Sequence, residues 1–449
     1  MKERRVVGLL LILLSAGVSL WWGVPMGRDI PGGTNDLQVV YYATRCLMEH
    51  GDPYQLDQLR RIYVEEERKL PPDSIERPLA VTWYIYLPPT FLLIAPLVAL
   101  PWPIASVLWM TLLAGTMVLA AVLMVREART HAPGVALFLA CLVLVNCEVG
   151  FALGNSAILV VSLCTIAAWC LIRQQFVFLA VLLLATALAI KPHDAGLVWL
   201  YFLLAGGAHR RRALQSFAVT AVLGLAAVVW VAHVAPRWFT EWNANVSVLT
   251  ARGGISDPGP SAEKGGGAGQ VIDLQSAVAV IEDDPSFYNP ITDVICGLML
   301  LIWIVTALRA RGSANAVWFA LASAVPLTLL ATYHRPYDAK LLLLAIPACA
   351  RLWSEGGWTG RAALALTTAG LGATADIPLS LWSNLTGRLD IGQMGVIERT
   401  LFVPFLRPVP VALLAMGMFY LWVYVRRANV GEDSVLLEQD SIQSAGAKG

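Results

Sequence analysis

The sequence predicts an all-α polytopic membrane protein built as a bundle of about 12 transmembrane helices. Three observations carry this. Hydrophobic residues make up 57% of the 449-residue chain and charged residues only 14%, where a soluble chain carries about a quarter. The apolar residues come in long runs, at 9–24, 104–125, 135–153, 157–172 and 213–234, and a helix needs ~20 of them to cross ~30 Å of hydrocarbon. Strand-like alternation is weak, which argues against an outer-membrane barrel.

The first run follows KERR at 2–5. Its apolar core is too long for a signal peptide and lacks an Ala-x-Ala-type cleavage site, so it reads as an uncleaved span. A long loop, 25–86, comes next. In it Leu37, Val40, Tyr41, Thr44, Leu47 and Met48 recur at helical spacing. Asp52 and Pro53 then read as a cap and a first helical position, opening a second helix through Lys69. The stretch 84–101 holds Pro88, Pro89, Pro96 and Pro101. Its prolines and short length predict a re-entrant or interfacial segment rather than a span. Residues 252–270 are glycine-rich and predict a loop. Beyond Arg427 the tail is polar and predicts disorder. The domain reading is therefore a single transmembrane domain, 1–427, and a disordered cytoplasmic tail, 428–449.

Short loops rich in Arg and Lys stay in the cytoplasm. Placing KERR, REAR (126–129), HRRR (209–212), RAR (309–311) and RR (426–427) inside puts both termini inside. The loops 25–86, 236–290 and 381–406 then lie outside, with the short turns 154–155, 191–194 and 333–338. Nearly all the suspicious polar residues fall on that side.

Several classes drop out. A net charge of +1 without a basic arm gives no nucleic-acid partner. Seven cysteines, mostly within spans, imply no disulfide framework, and no metal-binding Cys/His spacing appears. There is no internal sequence repeat, so an inverted-repeat transporter gains no support.

Asp36 is the first candidate. Thr-Asn-Asp before an apolar-periodic stretch reads as a helix start; the other reading is a general base for an acceptor hydroxyl. Both hold if Asn35 caps while Asp36 faces a cavity. Lys191, one of only six lysines, either snorkels to the interface or, with His193, receives an anion such as a lipid-linked phosphate. Asp194 reads as an N-cap for the following span. In YHRPYD, Arg335 is a bidentate phosphate partner and His334 can share a proton with it, with Tyr337 and Asp338 beside them; the bland alternative is a polar turn stiffened by Pro336. Asn155 bonds either a sugar or a backbone. Tyr84 and Tyr86 read as aromatic-belt anchors, Tyr86 also as a substrate contact. Gln275 and Ser276 are further substrate candidates. Glu282, Asp283 and Asp284 read as a solvated face rather than a metal site.

These motifs stand in a recognisable order. It runs Asp36, Tyr41 and Gly51-Asp52-Pro53-Tyr54; then Tyr86-Leu87-Pro88-Pro89 leading to Pro96 and Pro101; then Gly154-Asn155-Ser156, Ile190-Lys191-Pro192 and Tyr333-His334-Arg335. Over roughly 6–425 the chain resembles glycosyltransferase family 87. The resemblance implies a GT-C-like fold and transfer of mannose, or of arabinofuranose, from a polyprenyl-phosphate donor at the outer face of the cytoplasmic (inner) membrane. It implies Asp36 as the base, and it carries the family's lysine and late histidine onto Lys191 and His334. The expected donor-phosphate site is Lys191, His334 and Arg335. Asn35, Tyr86, Asn155, His193, Tyr337 and Asp338 are expected to line the substrate. The expected partners are a lipid-linked sugar donor, a glycan or glycolipid acceptor and membrane lipids. No metal or other cofactor is expected, because a phosphate already leaves well. The family's GQxN turn reads Gly-Asn-Ser here, which moves the amide. The alternative function is a transporter or flippase of a lipid-linked sugar.

Overall fold

A computed structural model describes residues 2–28, 36–68, 81–260, 271–311, 316–386, 389 and 391–446. Among these residues every regular element is helical. The chain opens with α1 (Lys2–Arg28) and two helices of the first long loop, α2 (Asp36–Met48) and α3 (Leu56–Glu67). The second of these starts later than the sequence suggests. Asp52 instead accepts from the Tyr54 N–H (2.9 Å) and the Gln55 amide (3.2 Å), a side-chain turn that ends before Leu56.

The proline-bounded stretch yields α4 (Pro89–Val98), whose ten residues span ~15 Å and cannot cross a bilayer. Then come α5 (Trp102–Ala128), α6 (Pro133–Leu144), α7 (Glu148–Leu153), α8 (Ser156–Arg173), α9 (Val177–Ile190), α10 (Pro192–Leu204) and α11 (Gly207–Val234). The second long loop contributes α12 (Trp238–Thr250) and α13 (Leu274–Val278). The bundle closes with α14 (Pro285–Arg309), α15 (Val317–Ala331), a 3₁₀ helix (Asp338–Ala345), α16 (Ile346–Glu355), α17 (Gly357–Ala373), α18 (Asp376–Thr386), α19 (Val396–Leu406) and α20 (Pro408–Gly446).

Among the described residues six helices are long and apolar enough to cross a membrane: the cores of α1 and α20, with α5, α8, α11 and α14. A seventh arises if α17 and α18, bent by 69°, count as one span. Four more apolar helices, α4, α6, α9 and α15, are shorter, so about 12 full-length spans are not what length and apolarity alone deliver. Pro133 and Pro192 sit at the first helical positions of α6 and α10. A proline there has no N–H for the preceding turn and starts each helix afresh, while the apolar run 135–153 is divided at 145–147 between α6 and α7.

The bundle is organised around α8. In its apolar window 89% is buried, against 11% for α11. Phe217, Val222, Leu225 and Val229 of α11 are exposed, the outward face expected of a helix that meets lipid. At the other end of the chain α20 continues through Gly446, past the point where the sequence reads a disordered tail. An existing helix propagates without a new nucleus.

Gly154 fixes how α2 meets α8. It ends α7 in the left-handed region (φ 58°), and its carbonyl accepts from the Trp109 indole at 2.8 Å. A Cβ on Gly154 would lie 3.1 Å from Cβ of Leu37, the second residue of α2. Gly154→Ala combines a left-handed alanine, costing ~1–2 kcal/mol, with a push on the helix that carries Asp36. We expect a lower unfolding temperature in detergent and reduced transfer; an unchanged melt would refute this account of the α2–α8 contact.

Candidate functional site

Two helix breaks and one turn present the polar residues. The first break is at Lys191, between α9 and α10. Pro192 cannot continue the ladder, and Lys191 takes φ −138° and ψ 85°. Its N–H still reaches the Ala187 carbonyl at 3.0 Å, while its own carbonyl accepts from Asp194 and Ala195. Lys191 thus occupies the cap position that the sequence reading gave to Asp194. The second break is at Asn155, the true N-cap of α8. Its Oδ1 accepts from the Ala157 N–H at 2.7 Å, and its Nδ2 donates to Asp36 Oδ2. One amide therefore starts the central helix and orients the candidate base. The two alternatives weighed for Asn155, sugar or backbone, leave out this carboxylate.

The turn 332–337 supplies the rest. Lys191 Nζ lies 2.8 Å from Asp338 Oδ1, and the other oxygen of Asp338 accepts from the Arg335 N–H at 2.7 Å. The lysine also sits over the Tyr337 ring, 5.2 Å from its centroid. His334 Nε2 lies 3.0 Å from Asp194 Oδ1, and its Nδ1 lies 2.8 Å from the Thr332 carbonyl. The Arg335 guanidinium donates to the Tyr333 hydroxyl (2.7 Å) and the Ile255 carbonyl (2.6 Å). In return the Ile272 N–H donates to the His334 carbonyl at 3.1 Å. Both flanks of the glycine-rich loop thus rest on this turn.

Burial divides the cluster into a floor and a mouth. Lys191, Asp194, His334, Arg335, Asp338 and Asn155 are buried; Asp36, Tyr86 and Tyr337 are half-buried and His193 is exposed. Asp36 lies within electrostatic reach of Lys191, Arg335 and Asp338. Desolvation pushes its carboxyl above the ordinary range, opposed by the Asn155 hydrogen bond and by Lys191 and Arg335. The Tyr86 hydroxyl feels Asp36, Lys191, Tyr337 and Asp338, which places it in the same cluster. Nine of the sequence candidates therefore converge: Asp36, Tyr86, Asn155, Lys191, His193, His334, Arg335, Tyr337 and Asp338. Asn35 lies outside the described residues.

Others do structural work. Tyr84 is fully buried and stacked on Phe91 (4.9 Å), not an interfacial anchor. Gln275 bonds Asn289, Ser276 closes the first turn of α13 on Asp273, and Asp284 caps α14. Tyr41 and Tyr54 fasten the first loop to the proline-rich stretch, donating to the carbonyls of Leu100 (2.7 Å) and Tyr86 (3.0 Å). Asn245 of α12 adds bonds to the carbonyls of Tyr54 and Tyr84.

Three features escaped the sequence reading. Asp194 Oδ1 lies 3.0 Å from His334 Nε2. Lys340 is buried, donating to the Thr374 carbonyl (3.1 Å) and facing Asp376 (3.4 Å). His193, Asp194 and His334 bring ligand atoms within 4.8 Å of one another, a set that can hold a metal ion. Nothing local flags the last, since 140 residues separate its members; only the fold joins them.

A helical chain with apolar helices thus gathers a lysine, an arginine and carboxylates at the ends of broken helices. Residues 84–267 match the model of glycosyltransferase family 87, the family the motifs resemble. The match covers 184 of the 449 residues (84 to 267). It takes in Tyr86, Asn155, Lys191 and His193, while Asp36 and 333–338 lie outside it. No curated protein and no solved structure gives a significant match.

Proposed function

We propose that this protein is an inverting glycosyltransferase that moves a sugar from a polyprenyl-phosphate donor to an acceptor hydroxyl at the outer face of the cytoplasmic membrane. The sugar class carried by the family resemblance is mannose or arabinofuranose. The observation that bears most weight is the convergence of Asp36, Lys191 and Arg335 within electrostatic reach of one another, from elements more than 100 residues apart.

In this reading the donor's tail lies among the spans and its phosphate meets Lys191 and Arg335. Lys191 and Arg335 stabilise the charge that develops as the phosphate leaves. His334, with both ring nitrogens turned to Asp194 and Thr332, supports that floor from behind. Asp36, held by Asn155, removes the proton from the acceptor hydroxyl as it attacks the anomeric carbon. Attack from the face opposite the phosphate inverts that carbon. Phosphate leaves without metal assistance, so the displacement itself requires none. Tyr86, Tyr337 and His193 at the mouth contact the sugar. The positive-inside pattern supports both termini in the cytoplasm, and the six long helices, the bent α17–α18 pair and the shorter α6, α9 and α15 give ten crossings if all traverse.

The test is a transfer assay on detergent-solubilised protein, using the lipid identified by mass spectrometry of co-purifying material. A new glycosidic bond, formed with inversion, is expected. Lipid-linked sugar moved between leaflets of proteoliposomes with no new bond would replace this reading with the flippase, which no comparison supports.

A further inference from the structure

We propose that His193, Asp194 and His334 form a binding site for one divalent transition-metal ion, with Zn²⁺ the best-suited ion. The argument starts from a conflict between two acceptors. A carbonyl oxygen only accepts, so the 2.8 Å approach of His334 Nδ1 to the Thr332 carbonyl places the ring proton on Nδ1. Nε2 is then an acceptor held 3.0 Å from Asp194 Oδ1 but outside hydrogen-bond geometry with it. Two acceptors so close repel unless a cation, a metal ion or a proton, lies beside them. Both atoms belong to fully buried residues, and neither Nε2 nor either oxygen of Asp194 has a hydrogen-bond partner. Leaving three such atoms unsatisfied is costly.

The geometry fits a metal. Two ligands each ~2.1 Å from one ion and ~3.0 Å apart subtend about 90°, within the range that N and O donors adopt. A backbone carbonyl that fixes Nδ1–H and turns Nε2 toward the ion is the usual outer-shell partner of a metal-bound histidine. The third donor, His193 Nε2, lies 4.0 Å from the same Asp194 oxygen, and its ring centroid is 5.1 Å from that of His334. Its side chain is 39% exposed, so a small rotation closes the set and leaves the remaining coordination position on the open side. Lys191 does not pre-empt the ion: its short contact is Asp338 at 2.8 Å, and it stands 4.0 Å from the other oxygen of Asp194. Two imidazoles and one carboxylate favour Zn²⁺ or a neighbouring ion over Mg²⁺ or Ca²⁺. The ion would lock the turn 332–337 to α10 and so hold Arg335 and Asp338 in place. The sugar-transfer reading above neither requires nor supplies it.

The rival occupant is a proton, which makes His334 and Asp194 a simple ion pair. Untagged full-length protein, chelator-treated in detergent, is titrated with Co²⁺ and followed by visible absorption, then competed with Zn²⁺. We expect one ion per chain, histidine-type ligand-field bands and displacement by Zn²⁺. His193→Ala, at an exposed position that should leave the fold intact, weakens binding by at least about 10–100-fold, while His131→Ala, at an exposed histidine outside the cluster, leaves it unchanged. Absence of bound Co²⁺, or equal affinity in wild type and His193→Ala, overturns the proposal in favour of the ion pair. The outcome is independent of any transfer assay.

Discussion

Asp36→Asn is expected to lower sugar transfer by about 10²–10⁴-fold, the contribution typical of a positioned general base. Donor affinity should stay near the wild-type value. Asparagine keeps the side-chain volume, and its Oδ1 still accepts from the Asn155 amide. What disappears is the capacity to take a proton. Single-turnover transfer with saturating donor measures the effect, and transfer at the wild-type rate would remove Asp36 from the role. The pH profile offers a second reading. A base must be ionised, and burial holds this carboxyl above the usual carboxylate range. The acid limb of kcat/KM is therefore expected at a higher pH than a solvent-exposed aspartate would give, with activity rising as pH rises through it. In Asp36→Asn that limb should vanish from the residual rate; its persistence would assign it to another group.

Lys191→Met is the second large effect, and it acts on stability and binding together. The ammonium is buried against Asp338 and near Asp194. Removing one partner of a buried pair costs ~3–5 kcal/mol, because the other charge remains without compensation. The single variant should unfold well below wild type. Lys191→Met combined with Asp338→Asn removes both charges while an amide oxygen still accepts from the Arg335 N–H. The double variant should recover most of the lost stability and none of the donor binding. Recovery of both would show that Lys191 serves the fold and not the phosphate.

Much of this was readable in the chain, for physical reasons that differ by residue. Apolar runs announce membrane helices because hydrocarbon tolerates no unsatisfied backbone. Lys191 stood out because an ionisable residue among apolar spans is costly without a purpose. The number of spans was less readable, since composition cannot see a helix end inside an apolar run, as α6 ends at Leu144 within 135–153. Pairings between distant residues were not readable at all. Asp194 looked like a cap because its neighbours in sequence suggest one; its partner, His334, is a neighbour only in space. Tyr41 and Tyr54 entered as motif members, and only the structure shows them donating to the carbonyls of Leu100 and Tyr86. Asn155, displaced by the departure from GQxN, still delivers an amide to Asp36.

The attachment of the second long loop has an evolutionary corollary. Ile255 and Ile272 both bond to the turn that carries His334 and Arg335. The chain between them leaves from and returns to a single anchorage. Extra residues inserted there lengthen a closed circuit without displacing its moorings, and doubling such a circuit costs only ~0.6 kcal/mol in closure entropy. This stretch can therefore change in length while the turn beneath keeps its shape.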